Sequence, residues 1–364
     1  MMIDEHAAAR LQAIGLTAAM RHHIECLETE PDAPFLLRVT EVQRDALTLH
    51  DGLAEHAARA LPALLAERAE HDGLAVGDWV FASRNRLGEW WVHARVPPLA
   101  QLARRHHDGR DKVTRAVIVS NMDTVLLVMG LDHDFNLRRL ERYLALVRLS
   151  DAQAVVVLTK ADLCEPARVA QRLREAAEAL PPDIATVAVN ALTDEPRQVL
   201  APWLGPGHTL VLVGSSGAGK STLTNALLGE QRQDTGANRV DDSRGRHTTT
   251  SRSLHVVPGG ACIIDTPGLR TLRLDADAHT LGGVFEDIGR LSLQCRFRDC
   301  RHDREPGCAV REEAAPERLR NFQKLQREMQ RDAMSALQRK AERAVWKARG
   351  KAARARDKAK REPG

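Results

Sequence analysis

Order along the chain is the most restrictive feature of this sequence. Gly214-Ser215-Ser216-Gly217-Ala218-Gly219-Lys220-Ser221 matches the pattern GxxxxGK[ST], and its companion, Thr159-Lys160-Ala161-Asp162, lies upstream of it. The first pattern follows an apolar run of buried-strand character, Thr209-Leu210-Val211-Leu212-Val213. It opens onto Thr222-Leu223-Thr224-Asn225-Ala226-Leu227-Leu228, which reads as a helix. Strand, glycine-rich turn and helix together cradle phosphates, because backbone N–H groups turn inward and the helix N-terminus adds its dipole. Residues 214–222 are therefore the expected phosphate-binding stretch. Lys220 is expected to reach the β- and γ-phosphates, and Ser221 to give a hydroxyl to Mg²⁺.

The upstream pattern chooses the base. Val155-Val156-Val157-Leu158 runs into Thr159, so Asp162 falls just beyond a strand's carboxyl end. There a carboxylate can accept two hydrogen bonds, from guanine's ring N–H and its exocyclic amine. Adenine offers no such pair, which makes a plain ATPase the least favoured reading. The Lys160 stem can lie along the base plane. A further strand-like run, Thr186-Val187-Ala188-Val189, ends in Asn190-Ala191, where the Ala191 N–H is placed to donate to the guanine O6. Downstream, Ala261-Cys262-Ile263-Ile264 delivers Asp265-Thr266-Pro267-Gly268. Asp265 is expected to hold Mg²⁺ through water and the Gly268 N–H to sense the γ-phosphate. Between them, Gly245-Arg246-His247-Thr248-Thr249-Thr250 offers a threonine for the Mg²⁺ shell, Thr249 being favoured over Thr248 and Thr250. In an ordinary GTPase the base-reading motif follows the phosphate loop. The inverted order predicts a G domain whose ends have been joined and reopened elsewhere.

Past the nucleotide motifs, Cys295, Cys300, His302 and Cys308 fall within one short segment bounded by a Pro306-Gly307 turn. Three thiolates and an imidazole suffice for a tetrahedral Zn²⁺ shell, although the spacing is not the common finger repeat and inert buried thiols remain the alternative. Cys26, Cys164 and Cys262 are scattered, and Cys262 reads as core. A disulfide framework is not expected of a chain this long without a secretory signal.

Motif order, the Arg246-His247-Thr248-Thr249-Thr250 loop and the cysteine–histidine cluster together resemble the ribosome small-subunit-dependent GTPase A family, over about residues 36–325. The resemblance implies a circularly permuted GTPase of small-subunit maturation, with one zinc ion per chain on the four cysteine–histidine ligands. Two positions depart from the usual pattern. Thr159 stands where Asn is usual, removing an amide that ties this loop to the phosphate loop, and Asn190 stands where Ser is common. Both bear on affinity more than on nucleotide identity.

Catalysis is less legible. Leu269 occupies the position after Asp-x-x-Gly where many GTPases carry a water-orienting Gln. An apolar residue there also fits the family resemblance. His247, beside the presumed Mg²⁺ threonines, is the nearest candidate to orient water, with an exposed loop histidine as the alternative. Lys220 and Thr249 complete the expected catalytic set. Slow intrinsic turnover accelerated by a partner is expected.

The remainder must supply that partner. With 43% apolar content the chain can bury two or three cores. No apolar run approaches a membrane span, and Met1 to Arg10 is acidic and Ala-rich rather than signal-like, so a cytoplasmic, monomeric factor with no membrane contact is expected. Residues 7–27 predict one short leading helix. From Phe35 to about Pro98, short alternating runs with Asp51-Gly52 as a turn suggest a small barrel, which the resemblance makes an OB-fold. Trp79, Trp90 and Trp91 are candidates to stack on bases, with at least two expected in the barrel's own core. Residues 60–70 have a helical pattern and read as an insertion. Arg104-Arg105-His106-His107, Arg110, Lys112 and Arg115 make a polar basic link of loop character. Residues 331–364 hold twelve Lys/Arg and four Asp/Glu, a net of 12 − 4 = +8, against +4 for the whole chain. Such a tail suits an rRNA backbone, or is simply solvated.

The expected architecture is multidomain. It comprises an N-terminal helical extension (1–34), an OB-fold β-barrel (35–100), a central α/β circularly permuted P-loop GTPase domain (101–280), a C-terminal zinc-binding helical domain (281–330) and a basic tail (331–364). The expected function is Mg²⁺-dependent GTP hydrolysis in late maturation of the small ribosomal subunit, with GTP, GDP, the subunit and its rRNA as partners. Alternatives are an RNA-binding checkpoint whose hydrolysis is incidental, and a permuted GTPase of large-subunit assembly.

Overall fold

The computed structural model describes residues 3–27, 35–43, 46–61, 64, 73–107, 113–229, 252–266 and 278–333. Five strands, β1 (Phe35–Val42), β2 (Leu47–His50), β3 (Glu55–Ala60), β4 (Trp79–Arg84) and β5 (Trp90–Arg95), close on themselves in the order β1-β2-β3-β5-β4, with β4 pairing back to β1. All these pairings are antiparallel except β3–β5. This is the barrel that the alternating pattern predicts. Its interior holds Leu37, Val39, Leu49, Val80, Trp90 and Val92. Of the three tryptophans only Trp90 lies in the barrel's own core, not the two expected: Trp79 is buried on the other side of the strands, with Leu11, Ile14 and Met20, and Trp91 is half-buried.

In place of one leading helix there are two, Glu5–Gln12 and Ala18–Glu25, capped by the side chains of Asp4 and Thr17. Gly15 breaks them apart. Its φ is +94°, and a Cβ there would stand 1.7 Å from the Arg38 guanidinium. Their buried faces (Leu11, Ile14, Met20, Ile24) pack on Leu36, Trp79 and Phe81 of the barrel. Most of residues 60–70 lies outside the described residues.

The basic link differs from expectation. Its described parts form an antiparallel hairpin, β6 (Gln101–His107) with β7 (Val113–Ser120), rather than a loop. Arg105 pairs with Arg115 and His106 with Thr114, so charge fills positions where strand alternation would otherwise be visible. Only the hairpin's base carries the apolar signal, in buried Leu102, Ile118 and Val119.

The remaining strands are β8 (Thr124–Gly130), β9 (Gln153–Thr159), β10 (Ala185–Ala188), β11 (Thr209–Val213), β12 (Ser253–Val256) and β13 (Cys262–Asp265). They run β10-β9-β8-β11-β13-β12 across the sheet, and every pairing is parallel except β12–β13. Both faces are covered, and successive residues divide between them. Val125, Leu127 and Met129 of β8 join one core, and Leu126 and Val128 join the other. Strand order reverses between β8 and β11. Ligands of open α/β sheets bind outside the strands' carboxyl ends at such a reversal.

Barrel and sheet are stapled by Arg38. Its guanidinium, fully buried, donates to the Thr209 hydroxyl (2.9 Å), Asn121 O (2.9 Å) and Ile14 O. Burial lowers its pKa, opposed by Cys262, Asp123 and Asp78 nearby. Cys262 is core, as expected, and burial pushes its thiol up to about 11. All six cysteines are free thiols.

Candidate nucleotide crevice and cysteine–histidine centre

β11 ends in the glycine-rich turn, and Lys220–Leu228 continues as a helix. Gly217 (φ +83°) and Gly219 (φ +87°) occupy the left-handed backbone that the turn needs. Gly214 is required by proximity, since a Cβ there would lie 2.3 Å from Val128 O. The Lys220 ammonium folds over the loop and donates to Gly214 O (2.9 Å) and Ser215 O (2.7 Å). Ser216 and Gly217 are exposed, Ala218 is buried, and Ser221 and Thr222 begin the helix half-buried.

The upstream motif meets this loop directly. Thr159, at the end of β9, is fully buried, and its hydroxyl donates to Ala218 O at 2.6 Å. A Cβ on Gly219 would stand 3.0 Å from the same hydroxyl oxygen. Loss of the usual amide at Thr159 therefore does not sever the base motif from the phosphate loop. A hydroxyl makes the tie instead, because the two backbones approach closely enough for a short side chain to span them.

Lys160 follows in the left-handed region (φ 63°), and Asp162 is exposed on the single turn Ala161–Leu163. Asn190 and Ala191 come just after β10, and the Ala161 N–H donates to Val189 O at 3.4 Å, setting side by side the two segments expected to read the base. Asn190 is well used where Ser is common. Its Oδ1 accepts the Leu192 N–H (2.9 Å) and closes its own turn, while its N–H donates to Glu195 (2.7 Å). Asp265 ends β13 and is buried, one residue past the Val211–Ile264 pair and so beside the strand that carries the phosphate loop. The adjoining Thr266 hydroxyl donates to Leu212 O (2.8 Å). His247, Thr248, Thr249, Thr250, Gly268 and Leu269 lie outside the described residues, as does the tail from 334 onward.

Two residues that the patterns do not mark also converge here. Asp132 accepts the Lys160 ammonium at 2.8 Å, and Asp134 accepts the Ser215 hydroxyl at 2.7 Å. Burial works to raise the Asp132 pKa, yet Lys160 and the Asp134 N–H outweigh it and hold the carboxyl below its usual range. The signal available in the sequence was positional. Both lie in the turn after β8, and each strand of such a sheet aims its following turn at the crevice.

Cys295, Cys300, His302 and Cys308 converge on a single point, all their ligand atoms lying within 4.8 Å of one another. A tetrahedral zinc with Zn–S of about 2.3 Å and Zn–N of about 2.0 Å sets its ligands roughly 3.5–3.8 Å apart. The observed separations are 3.9 Å for Cys295–Cys308, 3.7 Å for Cys295–His302 and 3.4 Å for His302–Cys308. Burial lowers the His302 pKa, keeping the imidazole in the neutral form that metals need. The donor set is compatible with one zinc ion. The fold presents it locally: the Arg296 N–H donates to Gly307 O (3.0 Å), Gly307 and His302 both take positive φ, and Gln323 donates to His302 O (2.7 Å).

The helices around this centre dock on the sheet through Arg318, in the helix Pro316–Ala333. Its guanidinium chelates Asp287 (2.6 and 2.8 Å), donates to Ala179 O (2.8 Å) and pairs with Glu141. Glu141 is buried on the helix Leu137–Val147, which covers β8 and β9, and it also accepts from Asn321.

Residues 99–275 match the family model described as RsgA GTPase. A protein of Xanthomonas campestris pv. campestris (strain B100), named small ribosomal subunit biogenesis GTPase RsgA, is 48% identical over 286 residues, covering 77% of this chain and 75% of its own length. One of the same name from Opitutus terrae is 43% identical over 343 residues, covering 88% and 91%. Of solved structures, YjeQ from Thermotoga maritima gives a TM-score of 0.58 at 22% identity, over 81% of this chain and 98% of that one. YloQ, described as a circularly permuted GTPase, gives 0.55 at 20%, over 85% and 99%. These two likenesses concern the fold, and the strand order above is that of a permuted G domain. On the strength of the sequence relatives, this chain belongs to the RsgA GTPase family.

Proposed function

We propose that this protein binds GTP with Mg²⁺ in the crevice beyond β8, β9, β11 and β13 and hydrolyses it while docked on the small ribosomal subunit during its maturation. The observation that carries the nucleotide reading is the Thr159–Ala218 hydrogen bond of 2.6 Å, which seats the base motif on the phosphate loop despite their inverted order. In this reading Asp162 and the Ala191 N–H recognise guanine, while Lys160, Thr159 and Asn190 shape that wall. Residues 214–222 wrap the phosphates, and Lys220 turns its ammonium from the Gly214 and Ser215 carbonyls to the β- and γ-phosphates. Ser221, Asp265 and Thr249 offer the oxygen donors that a hard cation takes and would hold Mg²⁺, which when bound would supply positive charge against the phosphates. The Gly268 N–H meets the γ-phosphate, and His247 orients the attacking water, since Leu269 cannot.

Support for the small subunit as partner is that relatives aligned over most of this chain's length are named small ribosomal subunit biogenesis GTPases. The barrel, the basic hairpin and the +8 tail are suited to rRNA. One zinc ion on Cys295, Cys300, His302 and Cys308 holds the C-terminal part. The protein works in the cytoplasm as a monomer; no described helix is long and apolar enough to cross a membrane. The proposed parts are a helical extension (1–34), barrel (35–100), GTPase domain (101–280), zinc domain (281–330) and tail (331–364). A GTPase assay with purified small and large ribosomal subunits tests the reading. Acceleration by small subunits alone is expected. Equal rates with and without them would leave a nucleotide-state checkpoint, and acceleration by large subunits would move the protein to the other assembly line.

A further inference from the structure

The turn after β8, residues 130–134, is closed from within. Asp132 Oδ1 accepts the Asp134 N–H at 3.1 Å, and Asp134 Oδ2 accepts the Gly130 N–H at 3.1 Å. Each carboxylate keeps its other oxygen for a different nucleotide motif. Asp132 Oδ2 receives the Lys160 ammonium (2.8 Å), and Asp134 Oδ1 receives the Ser215 hydroxyl (2.7 Å) together with the Arg139 guanidinium. The Lys160 stem crosses this turn closely. A Cβ on Gly130 would stand 3.4 Å from Lys160 Cδ and 2.6 Å from Asp132 Oδ1. The stem is therefore fixed at both ends, by a left-handed backbone at one and by Asp132 at the other.

We propose that Asp132 is a positioning residue for guanine: it anchors Lys160 so that the aliphatic stem forms a preset platform for the base. Asp134 does the corresponding work for the phosphate loop through Ser215. An untethered lysine gives up rotamer freedom when it is immobilised. Tethering it before the nucleotide arrives lowers that cost at the moment of binding. The proposal rests on the reading of Thr159–Asp162 as the base-recognition motif and adds the element that orients it.

Asp132 is partly exposed, at 22% of its side chain, so its replacement is compatible with folding, and thermal unfolding checks this. Asp132→Ala is expected to raise KM for GTP about tenfold, with the effect on kcat within about twofold. Asp132→Asn, which keeps the shape and loses the charge, falls between. In a Lys160→Ala background, Asp132→Ala should add less than about twofold, because it acts through that side chain. Inorganic tripolyphosphate, which has no base, should bind Asp132→Ala as it binds the wild type and bind Asp134→Ala more weakly. A KM increase of the same size in both backgrounds, or an equal loss of tripolyphosphate affinity in Asp132→Ala, would overturn the proposal in favour of general loosening. If Lys160→Ala raises KM while Asp132→Ala does not, the anchor alone is wrong. If Lys160→Ala leaves KM unchanged, the base-motif reading itself fails, and the anchor with it.

Discussion

The nucleotide crevice and the cysteine–histidine knuckle are built on opposite plans. The knuckle gathers its four ligands from Cys295–Cys308, a single short stretch whose own turns bring them together. The crevice gathers Thr159, Lys160, Asp162, Asn190, Ala191, residues 214–222 and Asp265 from the ends of four strands, and only the sheet order makes them neighbours. In the knuckle, chain proximity does the organising, and the donor set is compatible with one zinc ion, which would supply the cohesion. In the crevice, cohesion comes from single hydrogen bonds thrown between distant segments, such as Thr159 to Ala218 and Asp134 to Ser215. A local site is lost when its ion is lost. A distributed site is loosened one tie at a time.

The largest effect should therefore come from the metal. Cys300→Ser, or a strong chelator, is expected to remove zinc and melt the knuckle. Apparent zinc-binding energies of about 10–16 kcal/mol in small domains make that loss greater than any side-chain contact. Elemental analysis and proteolysis of residues 281–330 read it, and GTP affinity should fall far less. Undiminished protease resistance without metal would return the four residues to ordinary core. Next comes the joint between the two plans. Arg318→Ala leaves Glu141 buried beside Asp287 with its main partner gone, a change worth about 3–5 kcal/mol in other buried pairs. Thermal unfolding should separate into two transitions, only one of which shifts with GTP. A single unshifted transition would show the helices docked by their apolar faces alone.

How much of this was legible follows the same division. The knuckle's ligands could be named from spacing because the physics is local. Strands β9, β11 and β13 were legible because residues buried on both faces leave near-continuous apolar runs. The hairpin β6–β7 was not, since charges at Arg104, Arg105 and Arg115 erase the alternation. Nor was the break at Gly15, where Arg38 of β1 packs against the backbone. In the crevice the motif residues were readable and their braces were not. Asp132 and Asp134 look like any acidic turn until the sheet brings β8 beside β11. Thr159 reads as a defect by comparison with asparagine, and only the 2.6 Å bond reveals a working substitute.

Within the crevice, Asp162→Asn is the larger of two remaining effects. It places a donor against guanine's donors, so GTP affinity should drop by at least about a hundredfold while xanthosine triphosphate gains. Competition binding of the two nucleotides measures this, and an unaltered preference would take base recognition away from Asp162.

Thr159→Val isolates a single tie. Valine keeps the β-branched shape and fills the same buried space, so the change removes one hydroxyl and leaves Ala218 O without that donor. Stranding a buried carbonyl costs about 1–3 kcal/mol. The cost is shared between folding and binding, because the tie exists before the nucleotide arrives. We expect GTP and GDP to bind up to about tenfold more weakly, with zinc content and the protease resistance of residues 281–330 unchanged. Thr159→Asn should recover much of the affinity, since the amide can also reach the phosphate loop, whereas Thr159→Ala should do no better than valine. If valine binds GTP as tightly as threonine, the 2.6 Å bond is incidental to nucleotide binding. The two motifs would then be held in register by the turn at Asp132 and Asp134 alone, and the crevice would be less distributed than its hydrogen bonds suggest.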